Sequence, residues 1–227
     1  MGRGYGDYCP IAKASEILAE RWTPLILRNI HLRAHTFSQI QQGCPRMSST
    51  LLSHRLRALE RHGVVERVTA PNGHGSRYYL SAAGQELTEV ILQMGTWGAR
   101  WLDLGPRDYE PDTVLWGWAK FIDTERLPAN QVVVRFDLTD RPNQHFWMLI
   151  RRPEAEVCVK HPGFEEDLVV TTDTVTLTEV HRGRLPFNRL RIDGPRALSR
   201  AFESWGGLSY YAGVRPARGA LARQASG

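Results

Sequence analysis

The sequence predicts two domains of different class. The first is mainly α, closed by a β-hairpin. The second is an α+β sandwich on a roughly five-stranded antiparallel sheet. Three observations predict this. Apolar residues recur at helical spacing through most of residues 1–102, with one interruption at residues 64–80 where the period drops to 2. Residues 103–112, DLGPRDYEPD, combine two prolines, a glycine and four acids, which is the composition of a linker. Beyond them, alternating runs such as VVVRFDL and HFWMLI read as strands among turns and short helices. The boundaries that follow are 1–102, a linker at 103–112, a second domain at 113–214, and a tail at 215–227 whose composition reads as disordered.

Charge sharpens the division. Residues 1–102 hold 12 Lys and Arg against 7 Asp and Glu, whereas residues 103–227 hold 17 of each. The surplus positive charge lies wholly in the first domain, which suits a polyanionic partner there and a different role for the second. Surpluses of this size also occur in proteins that bind nothing anionic. No apolar run approaches the ~20 residues of a membrane span, and the first residues hold no apolar segment of a signal peptide. The three scattered cysteines, Cys9, Cys44 and Cys158, form neither a disulfide framework nor a zinc spacing, so a reducing, cytoplasmic location is expected. No catalytic residue, metal or cofactor is expected: His145, His161 and His181 are widely separated, and no Gly-rich phosphate loop, HExxH or GxSxG occurs.

The first domain begins with a helix from Pro10 to about Glu20, with Ile11, Ala14, Ile17 and Leu18 inward. Trp22 reads as a core anchor, and Thr23-Pro24 as a cap followed by Pro at the first helical position. A second helix runs to about Leu32, and a short third one covers Phe37 to Gln42. The stretch from Met47 to Gly63, MSSTLLSHRLRALERHG, predicts a helix with two unlike faces. Leu52, Leu56 and Leu59 form the buried stripe. Thr50, Ser53, His54, Arg57 and Arg61 lie roughly opposite, with Ser48 or Ser49 as cap and Gly63 as the left-handed stop. Such a face can enter a DNA groove, hydroxyls and His reaching bases or phosphates and Arg reaching guanine edges or phosphates. An ordinary basic surface helix has the same pattern. Strands at 64–68 and 77–80 flank a turn-rich tip, PNGHG, and Ser81 caps a helix from Ala82 to about Trp101. Helix, helix, turn, helix, hairpin, helix is the order of a winged helix-turn-helix.

Three stretches, CPIAKASEILAERWTPLILRNI, FSQIQQGCPRMSSTLLSHRLRALERHGVVERV and SRYYLSAAGQEL, resemble the HxlR-type winged-helix transcriptional regulators over about residues 8–102. The resemblance implies a homodimer on a roughly palindromic double-stranded DNA operator. It implies the helix from Ser48 in the major groove and the wing at Asn72–Arg77 against the neighbouring minor groove, where His74 and Arg77 would meet a narrow, cation-attracting surface. The candidate DNA contacts are therefore Ser48, Ser49, Thr50, Ser53, His54, Arg57, Arg61, His74 and Arg77. For each the alternative is a solvated side chain, and for Arg61 also service to the helix dipole or Glu60. In the helix from Ala82, Leu87, Ile91, Met94 and Trp101, with Val90 and Trp97 beside them, make a stripe wide enough for a subunit interface. In some members of that family a Cys at the place of Cys9 senses oxidants. A helix start, with Lys13 and Arg3 near, would favour its thiolate; a structural Cys is the competing reading.

In the second domain a helix from Thr113 to about Glu125 precedes strands at 131–138, 145–150, 155–160 and 168–172. A helix capped by Asp173, a short strand at 188–193 and a helix at 195–205 follow. Residues 154–205, and more weakly from 113, resemble the sterol-carrier-protein-like fold. That resemblance implies an apolar ligand pocket between sheet and helices, lined by Trp118, Phe121, Phe136, Phe146, Met148, Phe202 and Trp205; the same side chains would also make an ordinary core. The expected function is a dimeric transcriptional repressor whose second domain senses a small apolar ligand. The alternatives are a redox-responsive regulator acting through Cys9, and a lipid-binding protein whose winged-helix part only dimerises. An enzyme and a membrane partner are not expected.

Overall fold

The computed structural model describes residues 4–70 and 75–217. The chain divides into two compact units, Met1–Gly95 and Thr96–Gly227. The first unit holds α1 (Pro10–Leu18), α2 (Thr23–His31), α3 (Phe37–Gln42), α4 (Ser49–Arg61), β1 (Val65–Thr69) and β2 (Ser76–Leu80). The helix α5 (Ala82–Trp101) follows. Its core is Ile26, Leu27 and Ile30 of α2, Ile40 of α3 and Leu52, Leu56 and Leu59 of α4, all buried, with Val64, Val65 and Ile91.

Two local expectations change. The cap of α2 is Trp22, held at φ +78, so Thr23 is already helical and Pro24 follows it at the second position. Trp22 is half-buried, with the Arg21 guanidinium 5.2 Å from its ring centroid, and is not a core anchor. Helix α1 buries none of its residues, and Ile11 is 77 % exposed. Of its apolar stripe Ile17 and Leu18 are half-buried, while Ile11 and Ala14 are exposed.

The second unit contains α6 (Pro111–Phe121), β3 (Val132–Leu138), β4 (His145–Arg151), β5 (Glu154–Cys158), β6 (Leu168–Thr172), α7 (Thr174–His181), β7 (Arg191–Asp193) and α8 (Arg196–Ser204). Short 3-10 turns cover Pro106–Asp108 and Phe187–Arg189. Pro111 opens α6 inside the stretch expected as linker. The sheet order is β5-β4-β3-β6-β7. The sheet is mixed, not antiparallel as expected: β3 and β6 run parallel, with Val134 opposite Leu168 and Leu138 opposite Thr172. The cause is the connection. A meander through β4 leaves β5 pointing the same way as β3, and residues 159–167 then return the chain to the far side of β3. Alternation places Val134, Phe136, Met148, Ile150, Leu168 and Val170 on one face of the sheet, where they join Leu115 and Trp118 of α6, Leu177 and Val180 of α7 and Phe202 of α8 in one core. Arg135, Asp137, His145 and Trp147 point from the other face.

The tail expected from Arg215 lies outside the described residues beyond residue 217. Among the described residues no helix is long and apolar enough to cross a membrane, and no group of three or more His, Cys, Asp or Glu side chains is arranged to hold a metal ion.

Candidate nucleic-acid interface

The candidate reading helix is seated by a side chain that periodicity does not flag. Asn29, on α2, is fully buried and donates from Nδ2 to Ile40 O at 3.0 Å and to Cys44 Sγ at 3.3 Å. Its Oδ1 accepts from Arg28, which also donates to Gly43 O at 3.0 Å. These bonds pin the end of α3 and the turn after it to α2. Helix α3 is started by a capping box: Thr36 Oγ1 accepts from Gln39 N–H, and Gln39 Oε1 accepts from Thr36 N–H at 3.1 Å. Gln41 Nε2 donates to Met47 O and closes the turn against α4. Burial and the Asn29 amide hold the Cys44 thiol in the interior, and desolvation pushes its pKa up.

Ser48 is the cap of α4, its Oγ accepting from Leu51 N–H at 3.3 Å, so of the two candidates Ser49 is the first helical residue. Gly63 ends the helix at φ +69. Leu52, Leu56 and Leu59 are buried, and Arg55 is tied to Glu20 by an ion pair. The other face is open. Ser48, Ser49, Thr50, His54, Arg57 and Arg61 are exposed and Ser53 is half-buried. Neither Arg57 nor Arg61 has an ion pair or hydrogen bond among the described residues, Glu60 included. Arg55 shows the contrast: the fold uses one guanidinium of this helix and leaves two unspent.

The hairpin is in register from Val65 opposite Leu80 to Thr69 opposite Ser76. It is locked to the start of α3 by an element the sequence reading missed. Tyr78 N–H donates to His35 O at 2.8 Å, His35 Nδ1 meets Tyr78 O at 3.0 Å, and Thr36 bridges Arg77. One residue of strand pairing carries no periodic signal, so only the structure reveals it. Arg77 is thus exposed at a fixed place beside α3. Arg67, not among the expected contacts, lies on the opposite face of the hairpin, where it donates to Ser76 Oγ at 2.8 Å. His74 lies outside the described residues.

The model of the HxlR-like helix-turn-helix family matches residues 17–105. The HTH-type transcriptional regulator YvaP of Bacillus subtilis is 33 % identical over 99 residues, which are 43 % of this chain and 92 % of that protein. The chain belongs to the HxlR-like helix-turn-helix family. Another relative, the HTH-type transcriptional regulator Rv3095 of Mycobacterium tuberculosis, is 36 % identical over 110 residues, 46 % of this chain and 65 % of that one. Among solved structures, the reduced form of the transcriptional regulator YodB of B. subtilis is 28 % identical, with 44 % of this chain and 99 % of that chain covered at a TM-score of 0.38. The family match ends at residue 105, ahead of the whole mixed sheet.

Cys9 is the cap residue of α1 and half-buried. Lys13, expected to act on it, is turned to Glu16 Oε1 at 3.1 Å, and Cys9 N–H donates to the Asp7 carboxylate at 3.1 Å. Arg3 lies outside the described residues.

The seven residues expected around an apolar ligand separate. Trp118, Phe136, Phe146, Met148, Phe202 and Trp205 belong to one packed core, with Trp118 stacked on Phe202 at 6.0 Å and 7°. Phe121 lies outside that cluster, its ring 6.2 Å from His181. His181 is buried beside Trp118 and hydrogen-bonded through Nδ1 to Gly207 O at 2.5 Å, and burial pushes its pKa down.

Proposed function

We propose that the chain is a sequence-specific DNA-binding regulator that works as a homodimer, lays α4 in the major groove and reaches the flanking minor groove with the wing. The observation that carries this is the open face of α4. Two guanidinium groups without ion pairs and a row of hydroxyls and imidazole stand on a helix whose opposite side is locked into the core. Solvated cations that the fold does not use are what phosphate contact requires, and residues near the start of such a helix reach base edges. Repression is the simplest outcome, since an occupied operator excludes other proteins. The mixed-sheet unit is the input domain. Its ligand shifts DNA affinity only by binding the two DNA-competence states unequally.

Fluorescence anisotropy on promoter DNA of the chain's own gene tests the interface. Arg57→Ala weakens binding to all sequences and lowers the slope of log affinity against log salt by about 1, as one lost phosphate contact does. Ser53→Ala changes the preference among operator sequences more than the salt slope. Wild-type affinity that ignores salt, or an Arg57→Ala protein indistinguishable from wild type, overturns the reading.

A further inference from the structure

The second unit carries an open cleft of about 330 Å³ on the margin of its core. It is lined by Asp112 at the start of α6, by Asn143 and Gln144 in the turn before β4, by His145, Phe146 and Trp147 on β4 and by Val159. The volume suits a small organic molecule. No Lys or Arg lines it.

The lining is held in place before any ligand arrives. The Trp147 indole N–H donates to Glu166 Oε1 at 3.1 Å, and Glu166 is itself held by Arg135 at 3.6 Å and His161 at 3.4 Å. The His161 ring packs edge-on to Trp147 at 5.4 Å. His145 Nδ1 lies 3.2 Å from Asp137 Oδ1, and Asp137 also accepts from Arg135 at 3.1 Å. With Asp137 accepting, Nδ1 is the donor and the ring is held with its Nε2 edge turned away from Asp137. The His145 and Trp147 rings lie 6.1 Å apart as an aromatic wall. The charged groups of this face are thus spent on fixing the two rings.

Asp112 is the exception. Its carboxylate has no hydrogen bond or ion pair among the described residues. Arg141, close enough to act on it, donates to Tyr109 O at 3.3 Å instead. Burial and the neighbouring Glu110 raise its pKa, the opposite of what a paired carboxylate shows. The cleft therefore offers an unpaired carboxylate, an imidazole, two side-chain amides and an indole face. We infer that it binds a small organic cation with N–H donors and an apolar or aromatic body, an amidinium or arylalkyl-ammonium, whose charge meets Asp112 and whose body lies along Trp147. An anion would be repelled by Asp112, since no Lys or Arg lines the cleft and the nearby Arg141 is turned to Tyr109 O, and a neutral molecule would leave the carboxylate unpaired. Cation–π attraction adds to the ion pair where the site is partly desolvated.

Benzamidine, benzamide and benzoate share one shape and differ in charge. Isothermal titration calorimetry of the full chain with the three is the test, and it stands apart from DNA binding, so its failure leaves the operator reading untouched. Benzamidine binds, benzamide binds about tenfold or more weakly, and benzoate gives no heat. Asp112→Asn lowers benzamidine affinity by about tenfold, the loss of one partly desolvated charge pair, and Trp147→Leu weakens it further. Benzamide binding as tightly as benzamidine, or no benzamidine binding at millimolar concentration, overturns the proposal. That comparison is made on the unaltered chain and does not depend on either variant folding. An Asp112→Asn protein that melts like wild type and keeps full benzamidine affinity overturns it as well.

Discussion

At the scale of single residues, Gly84 and Asn29 show how α4 is held in place. A Cβ built on Gly84 would stand 2.1 Å from the Val64 carbonyl oxygen, a backbone atom with no freedom to withdraw. Ser81 makes the same junction from the other side: its Oγ donates to Gly63 O at 2.6 Å and accepts from Gly84 N–H at 3.1 Å. The start of α5 is thereby clamped onto the end of α4. Two effects compete in Gly84→Ala. Helix propensity favours Ala by about 1 kcal/mol, while overpacking a closed contact costs about 1–3 kcal/mol. The contact is to backbone, so overpacking wins. Gly84→Ala lowers stability in urea by about 1–2 kcal/mol and weakens operator binding beyond that loss, because the α4–hairpin junction shifts. An unchanged denaturation midpoint would show that the junction yields freely. The glycine of Ser81-x-x-Gly84 was visible in the sequence, but the reason for it was not, since the clash is with a residue twenty positions earlier. Asn29 was hidden for a different reason. A buried polar residue inside an apolar helix breaks no period, and its partners, Ile40 O and Cys44 Sγ, lie in another element.

At the scale of elements, the order of helices and hairpin in the first unit was legible because each apolar stripe and each Gly or Pro stop is local. What periodicity leaves undecided is which face of a helix its own domain covers. In α5 the covered row is Gly84, Thr88 and Ile91, only one of them strongly apolar. The row with the stronger apolar signal, Val90, Met94 and Trp97, is about half exposed. Small residues let the helix approach closely and leave the large ones outside. Ile11 of α1 is exposed as well; exposed apolar rows of this kind mark interaction surfaces, and in the homodimer proposed above a second copy of the chain would cover them. Met94→Glu puts a charge in the middle of that row without touching the covered one. Sedimentation velocity then shows a folded monomer in place of a dimer, with operator affinity lowered at least tenfold as the second half-site is lost. A Met94→Glu protein that sediments as wild type places the interface elsewhere. The second unit was less legible for a related reason. Strands following one another without an intervening helix read as a meander, and nothing local in residues 159–167 reports that they carry the chain back for a parallel pairing.

At the scale of the whole molecule, the two units differ in charge and in how they respond to acid. Two compact units of separate core are expected to unfold in separate steps rather than as one. His181 makes one of those steps pH-dependent. Burial lowers its pKa from an ordinary value of 6.5, with only the bond to Gly207 opposing. Between the lowered value and 6.5 the unfolded chain binds a proton that the folded chain refuses, so stability rises with pH in that window. The contribution is complete above pH 6.5 and is lost as the pH falls through 6.5 towards the lowered value. Asp112 acts in the opposite sense: its raised pKa makes the folded chain take up a proton more readily than the unfolded one, so acid favours the fold there. The two effects are separated by substitution. Calorimetric scans from pH 7.5 to pH 5 show one transition descending as the pH falls, and it belongs to the unit that contains His181. His181→Gln keeps a donor for Gly207 O, removes the titration and flattens the pH dependence of that transition alone, at the cost of some stability throughout. A descent that persists unchanged in His181→Gln, or one that moves both transitions together, would assign the acid response to groups other than this histidine.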